Sequence, residues 1–256
     1  LISVIGGTVG NRNNAYIQNR AASAQTITAG SLYLQGGDSG GIDSFGQKTV
    51  FGRSWLANSA TISSGWSGGV IGTQDISIAG PIDIKGNSGA GSSGVAGAGI
   101  GATGSQVIYG GAITVKGGGG GVFDSGAGIT SHAAQTITAG SLSIRGGTGG
   151  HDNGAGVTAH GNQTINITGI GNLELIGGSG AVSYLNEARI QHGHTPYGGN
   201  VYYGSGVQTI NLAGGSDAII TAGSGTGTGG HYDPDCFAVL GNACRGSSNG
   251  ATIENG

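Results

Sequence analysis

Gln25-Thr26-Ile27-Thr28-Ala29-Gly30-Ser31-Leu32-Tyr33-Leu34-Gln35-Gly36-Gly37 returns almost unchanged as Gln135-Thr136-Ile137-Thr138-Ala139-Gly140-Ser141-Leu142-Ser143-Ile144-Arg145-Gly146-Gly147. Looser copies start at Gln74, Gln106, Gln163 and Gln208. The six glutamines are separated by 49, 32, 29, 28 and 45 residues. The basic period is therefore 28 to 32, lengthened in two copies. A unit this short cannot bury its own apolar face and must stack on its neighbours, so the pattern reads as a solenoid.

Each copy carries three apolar pieces. The first is Gln-x-Ile/Val, as in Gln163-Thr164-Ile165. The second is a Leu-x-Leu type pair ending in Gly-Gly, as in Leu173-Glu174-Leu175-Ile176-Gly177-Gly178. The third is Ala-x-Ile/Val, as in Ala98 and Ile100, Ala127 and Ile129, and Ala155 and Val157. Every piece alternates apolar with small or polar residues, the period of two that a half-buried strand requires. Glycine and serine clusters between the pieces supply turns and would interrupt a helix. The expected fold is all-β: a right-handed parallel β-helix of about six to seven three-strand coils. Its handedness follows the usual chirality of parallel crossovers. One domain over 1–256 is expected, with loop insertions near 42–71, 191–206 and 231–250. Ile27, Ile76, Ile108, Ile137, Ile165 and Ile210 should stack as one core column. Leu34, Ile84, Val115, Ile144 and Leu175 should form a second. Ile17, Ile62, Ile100, Ile129, Val157, Ile190 and Ile253 should form a third.

The anchor glutamines Gln25, Gln74, Gln106, Gln135, Gln163 and Gln208 share the parity of the inward isoleucines. Stacked amides can hydrogen-bond along the axis, donor to acceptor. The alternative is that each caps a turn by bonding backbone. Both readings are structural.

Composition narrows the function. There are 61 glycines in 256 residues, without a collagen period. Charged residues make up 8%, against about 25% in ordinary globular chains. So little charge suits a surface hidden by self-association, by neighbouring chains or by sugars. The net charge of −3 shows no basic stripe that would suit nucleic acid. No apolar stretch reaches the roughly 18 residues of a membrane span. Cys236 and Cys244 lie in a tract unlike the repeats and read as a loop closed by a local disulfide, with free thiols as the alternative. A disulfide would imply an extracytoplasmic compartment.

Several short motifs imitate chemistry. Gly37-Asp38-Ser39-Gly40-Gly41 spells a serine-protease signature, but it sits at a repeat corner and lacks a histidine–aspartate partnership. Gly65-Trp66-Ser67-Gly68-Gly69 imitates a hydrolase elbow, and Gly99-Ile100-Gly101-Ala102-Thr103-Gly104 a dinucleotide fingerprint, each without the helix it needs. The acidic residues are scattered and form no carboxylate pair at a repeated position, which disfavours glycosidase chemistry. His192, His194 and His231, the last beside Asp233 and Asp235, read as loop residues; metal ligation is the minor alternative. Thr26, Thr136, Thr164 and Thr209 follow the anchors, but Asp75 and Val107 break any ice-binding column. No catalytic residue, cofactor or metal is assigned.

The repeats Gln-Thr-Ile…Ala-Gly-Ser-Leu-x-Ile-x-Gly-Gly resemble those of filamentous-haemagglutinin-like secreted β-helix proteins of Gram-negative bacteria, over residues 1 to 230 or so. The resemblance implies an extracellular or cell-surface protein, exported and non-enzymatic. The leading expectation is a structural subunit of a filament or matrix fibre that stacks head to tail with itself. The alternatives are a shaft or binding fragment of an adhesin contacting host or polysaccharide, and a β-helix polysaccharide-degrading enzyme. Trp55, Trp66, Tyr197, Tyr202 and Tyr203 fall in the longer copies and are the candidate contact aromatics.

Overall fold

Alternation in the sequence becomes alternation in burial in first and second pieces such as 74–78 and 106–116, whereas the third pieces at 98–102, 127–131 and 155–159 are buried at every position, not half-buried as expected. The computed structural model describes residues 1–7, 13–37, 58–65, 70–87, 97–119, 126–149, 153–179, 186–192, 194–197, 200–203, 206–224 and 251–255. Every regular element among these residues is a β-strand.

The first pieces form Gln25–Ala29, Gln74–Ile78, Gln163–Ile167 and Gln208–Leu212. The second pieces form Ile2–Ile5, Leu32–Gln35, Ile82–Lys85, Leu173–Ile176 and Ala218–Thr221. In two copies the first and second pieces run on as single 11-residue strands, Gln106–Lys116 and Gln135–Arg145. These long strands weld both sets into one 11-stranded sheet. Elsewhere the join is broken for a visible reason. Pro81 has no N–H to carry the pairing forward. The copies from Gln163 and Gln208 have longer connections, 168–172 and 213–217, and the second turns on Gly215 at φ 89°, a conformation suited to glycine.

The third pieces form a separate sheet of 7 parallel strands. They are Ala15–Asn19, Ala60–Ser64, Ala98–Ala102, Ala127–Ser131, Ala155–Ala159, Ala188–His192 and Ala251–Asn255. The segment 42–71, expected as an insertion, thus contains a sheet strand at Ala60–Ser64. Within 191–206 the structure has an antiparallel hairpin of His194–Tyr197 with Asn200–Tyr203.

Parallel pairing keeps like residues together. Ile27, Ile76, Ile108, Ile137, Ile165 and Ile210 are direct partners along one line. Val4, Leu34, Ile84, Val115, Ile144, Leu175 and Ile220 make a second line. Ile17, Ile62, Ile100, Ile129, Val157, Ile190 and Ile253 make the third. Side chains from both sheets join one apolar core. Ile76, Ile108, Ile137 and Ile165 are fully enclosed, while Ile17, Ile210 and Ile253, on edge strands, are only partly covered.

Candidate functional site

The feature that links every copy is the line of anchor glutamines. Gln25, Gln74, Gln106, Gln135, Gln163 and Gln208 occupy one register position. Gln74 Nε2 donates to Gln25 Oε1 at 2.7 Å, Gln106 to Gln74 at 2.8 Å and Gln135 to Gln106 at 2.8 Å. Gln163 donates to Gln135, and Gln208 to Gln163, both at 2.9 Å. The amides of Gln74, Gln106, Gln135 and Gln163 are buried, where an unsatisfied amide would be costly. The ladder meets that requirement and has a direction. N–H groups point toward the Gln25 end, and oxygens toward the Gln208 end. Gln135 Nε2 also reaches Thr158 O at 3.2 Å, and Gln163 Nε2 reaches Gln191 O at 3.4 Å. Both acceptors lie on third-sheet strands, so the ladder also ties the two sheets at their shared corner. The backbone partners of these glutamines are thus strand carbonyls rather than turns.

The opposite corner is held by asparagines that the repeat reading passed over. Asn58, Asn153 and Asn186 stand two residues before the Ala of their third pieces and are fully buried. Asn58 Oδ1 accepts from Asn13 N at 2.9 Å, and Asn186 Oδ1 from Asn153 N at 3.0 Å. The amides of Asn153 and Asn186 both donate to Gly149 O. Opposite each lies the second glycine of a Gly-Gly pair. A Cβ at Gly37 would stand 2.7 Å from Asn58 Cβ, one at Gly147 2.6 Å from Asn153 Cβ and one at Gly178 2.7 Å from Asn186 Cβ. Backbone oxygens stand closer still, Gly7 O at 1.9 Å from a Cβ at Gly37 and Gly118 O at 2.3 Å from one at Gly147, so the backbone and the asparagine together demand glycine. The copy from Gln74 reverses the pair: Ala96 takes the asparagine place in sequence, and the buried Asn87 takes the glycine place. The fixed offset from the Ala was the available signal.

Two further histidines occupy equal positions, three residues before Gln135 and Gln163. The rings of His132 and His160 stack with centroids 4.6 Å apart and planes 3° from parallel. Burial, then the charge of its neighbour, lowers the pKa of His160 from 6.5 to about 4, and burial lowers that of His132. A base with a depressed folded-state pKa binds its proton more readily when unfolded. The stability it supports is intact above pH 6.5 and declines as pH falls toward about 4. The thermal midpoint is expected to drop across that window, and His160→Asn to flatten the drop. A variant profile parallel to the parent's would discard the histidine pair as the cause.

The outward face of the first sheet mixes polar residues with the exposed Val107, Tyr109 and Ile219. Asn211 Nδ2 donates to Asn166 Oδ1 at 2.8 Å, and Asn166 Nδ2 to Thr138 Oγ1 at 3.3 Å. Asp75 and Val107 interrupt the threonine line at Thr26, Thr136, Thr164 and Thr209.

Of the other candidates, Cys236, Cys244, Trp55, Trp66 and His231 lie outside the described residues. Tyr197, Tyr202 and Tyr203 belong to the hairpin, with Thr195 opposite Tyr202 and His194 opposite Tyr203. His192 is buried at the end of its third-sheet strand, and His194 starts the hairpin. Among the described residues no group of three or more His, Cys, Asp or Glu could hold a metal ion. Gly99 and Gly101 lie within a third-sheet strand rather than in a phosphate-binding loop. No helix among the described residues is long and apolar enough to cross a membrane.

No protein-family model matches this chain, and no curated protein and no solved structure matches it.

Proposed function

We propose that the chain winds as a right-handed parallel β-helix and acts as a structural, non-enzymatic subunit of an extracellular filament or matrix fibre of a Gram-negative bacterium. The observation that carries this reading is register. Like residues pair with like across both parallel sheets, and one directional amide ladder runs through six copies. The resemblance of the repeats to secreted haemagglutinin-like proteins, and the scarcity of charge, support it further.

Such a stack has templating edges. Gln25–Ala29 pairs on one side with Gln74–Ile78, and Gln208–Leu212 on one side with Gln163–Ile167. Gln25 N donates inward to Thr73 O at 2.9 Å. Strand alternation turns the N–H groups of Thr26 and Thr28 toward the opposite edge. Both threonines are exposed. A head-to-tail contact between the two ends is heterologous and does not close, so it propagates into a fibre. Its driving terms are edge hydrogen bonds and apolar burial, which makes it weakly sensitive to salt.

Thr28→Pro tests this directly. Proline deletes an outward donor and leaves the inward bonds of Gln25 and Ile27 alone. The variant is expected to fold with a β-rich circular dichroism spectrum like the parent's and to form no fibres by negative-stain microscopy where the parent forms them. Fibres appearing at the parent's rate would refute assembly through this edge.

The second reading, a binding shaft, is favoured by the hairpin. It carries Tyr197, Tyr202 and Tyr203 on its two strands, and tyrosines combine an apolar ring with a polar tip suited to sugars.

A further inference from the structure

Only nine residues of the chain are Lys or Arg. Three of them occupy one register position on consecutive strands: Lys85 pairs with Lys116, and Lys116 with Arg145. Their predecessors Ile84, Val115 and Ile144 are buried, so alternation turns the three cations outward. Neighbouring parallel strands set them about 4.8 Å apart.

The column beside them holds Tyr33, Asp83, Thr114, Ser143 and Glu174 in register. Asp83 lies 4.0 Å from Lys85, whose ammonium is also 5.1 Å from the centre of the Tyr33 ring. Glu174 meets Arg145 at 2.5 Å and accepts from Ser143 Oγ at 2.8 Å. Lys116 has Thr114 where Lys85 has Asp83, and it makes no ion pair among the described residues. Like charges on directly adjacent strands repel. In a chain with 8% charged residues, a third of the cations thus stand in one line that adds nothing to the core.

We propose that this column binds a linear acidic polysaccharide. The polymer lies along the stacking direction, its carboxylate or sulfate groups meeting Lys85, Lys116 and Arg145 in turn. The Tyr33 ring and the Thr114 hydroxyl contact the sugars. Lys116 is the central contact because no protein anion competes for it. A sugar polymer spaces its acidic groups on the scale of a pyranose ring, comparable with the strand spacing. A nucleic-acid duplex packs charge more densely, about one phosphate per 3.4 Å on each strand. The surface runs along the flank of the sheet, so it does not rest on end-to-end assembly.

The test uses the full chain in low salt, with polygalacturonate, heparin, neutral dextran and single-stranded DNA as probes in affinity electrophoresis. The parent is expected to bind at least one acidic polysaccharide and not dextran, and to lose binding as salt rises. Polygalacturonate against heparin separates carboxylate from sulfate recognition. Lys116→Gln should weaken binding several-fold, Lys116→Arg should retain it, and Lys85→Gln with Lys116→Gln and Arg145→Gln should abolish it. Unchanged thermal midpoints would show that the variants remain folded. Failure of the parent to bind either acidic probe would overturn the proposal. So would equal binding by Lys116→Gln, or DNA binding as tight as that of the polysaccharide.

Discussion

Gln135→Leu is expected to lower the unfolding free energy by about 3–6 kcal/mol, because several buried polar groups lose partners at roughly 1–3 kcal/mol each. Leucine preserves most of the volume, so the loss is polar rather than a cavity effect. Gln106 Oε1 loses its donor, Thr158 O loses a bond, and Gln163 Nε2 keeps only the 3.4 Å contact with Gln191 O. Gln208→Leu is the control, because that residue stands at the end of the six-glutamine ladder and is half-buried. Its effect should be much smaller. Urea denaturation of both variants measures the difference. Equal and small losses would mean that the ladder is incidental to stability.

Ile137→Ala should cost about 2–5 kcal/mol, the range for deleting a fully enclosed aliphatic side chain. Ile137 is wholly buried, with Ile108 and Ile165 directly above and below it. Neither neighbour can move into the gap without leaving its own register. Ile210→Ala, on an edge strand and only partly covered, should cost less. Unfolding curves that rank the two the other way would contradict the column packing.

The strands and their register were legible because the chain repeats itself. Once Gln25 aligns with Gln135, the positions of Ile27 and Ile137 follow, and a period of two decides which side chains face inward. What stayed hidden depended on pairs rather than on periods. Gly147 looks like any turn glycine until Asn153 is seen pressed against it. His132 and His160 look like isolated polar residues until two copies are laid in register. The unbroken run from Gln106 to Lys116 was also unreadable, since Gly110 and Gly111 resemble the glycines that end strands elsewhere. Continuity there depends on neighbouring strands that can pair with it. Tract 225–250, with both cysteines, follows no copy of the repeat and offers no such internal comparison.

Direction in the amide ladder has a consequence for how such a chain can change length. Each internal glutamine gives one bond to the copy before it and takes one from the copy after it. A whole copy removed or duplicated between Gln106 and Gln163 would leave every remaining amide with the same two partners as before. Extra residues placed in the connections have the same effect, since the copies from Gln25 and Gln163 run 49 and 45 residues and keep their ladder bonds. Copy number and connection length are therefore free to vary, while the strand segment that turns each glutamine inward is not.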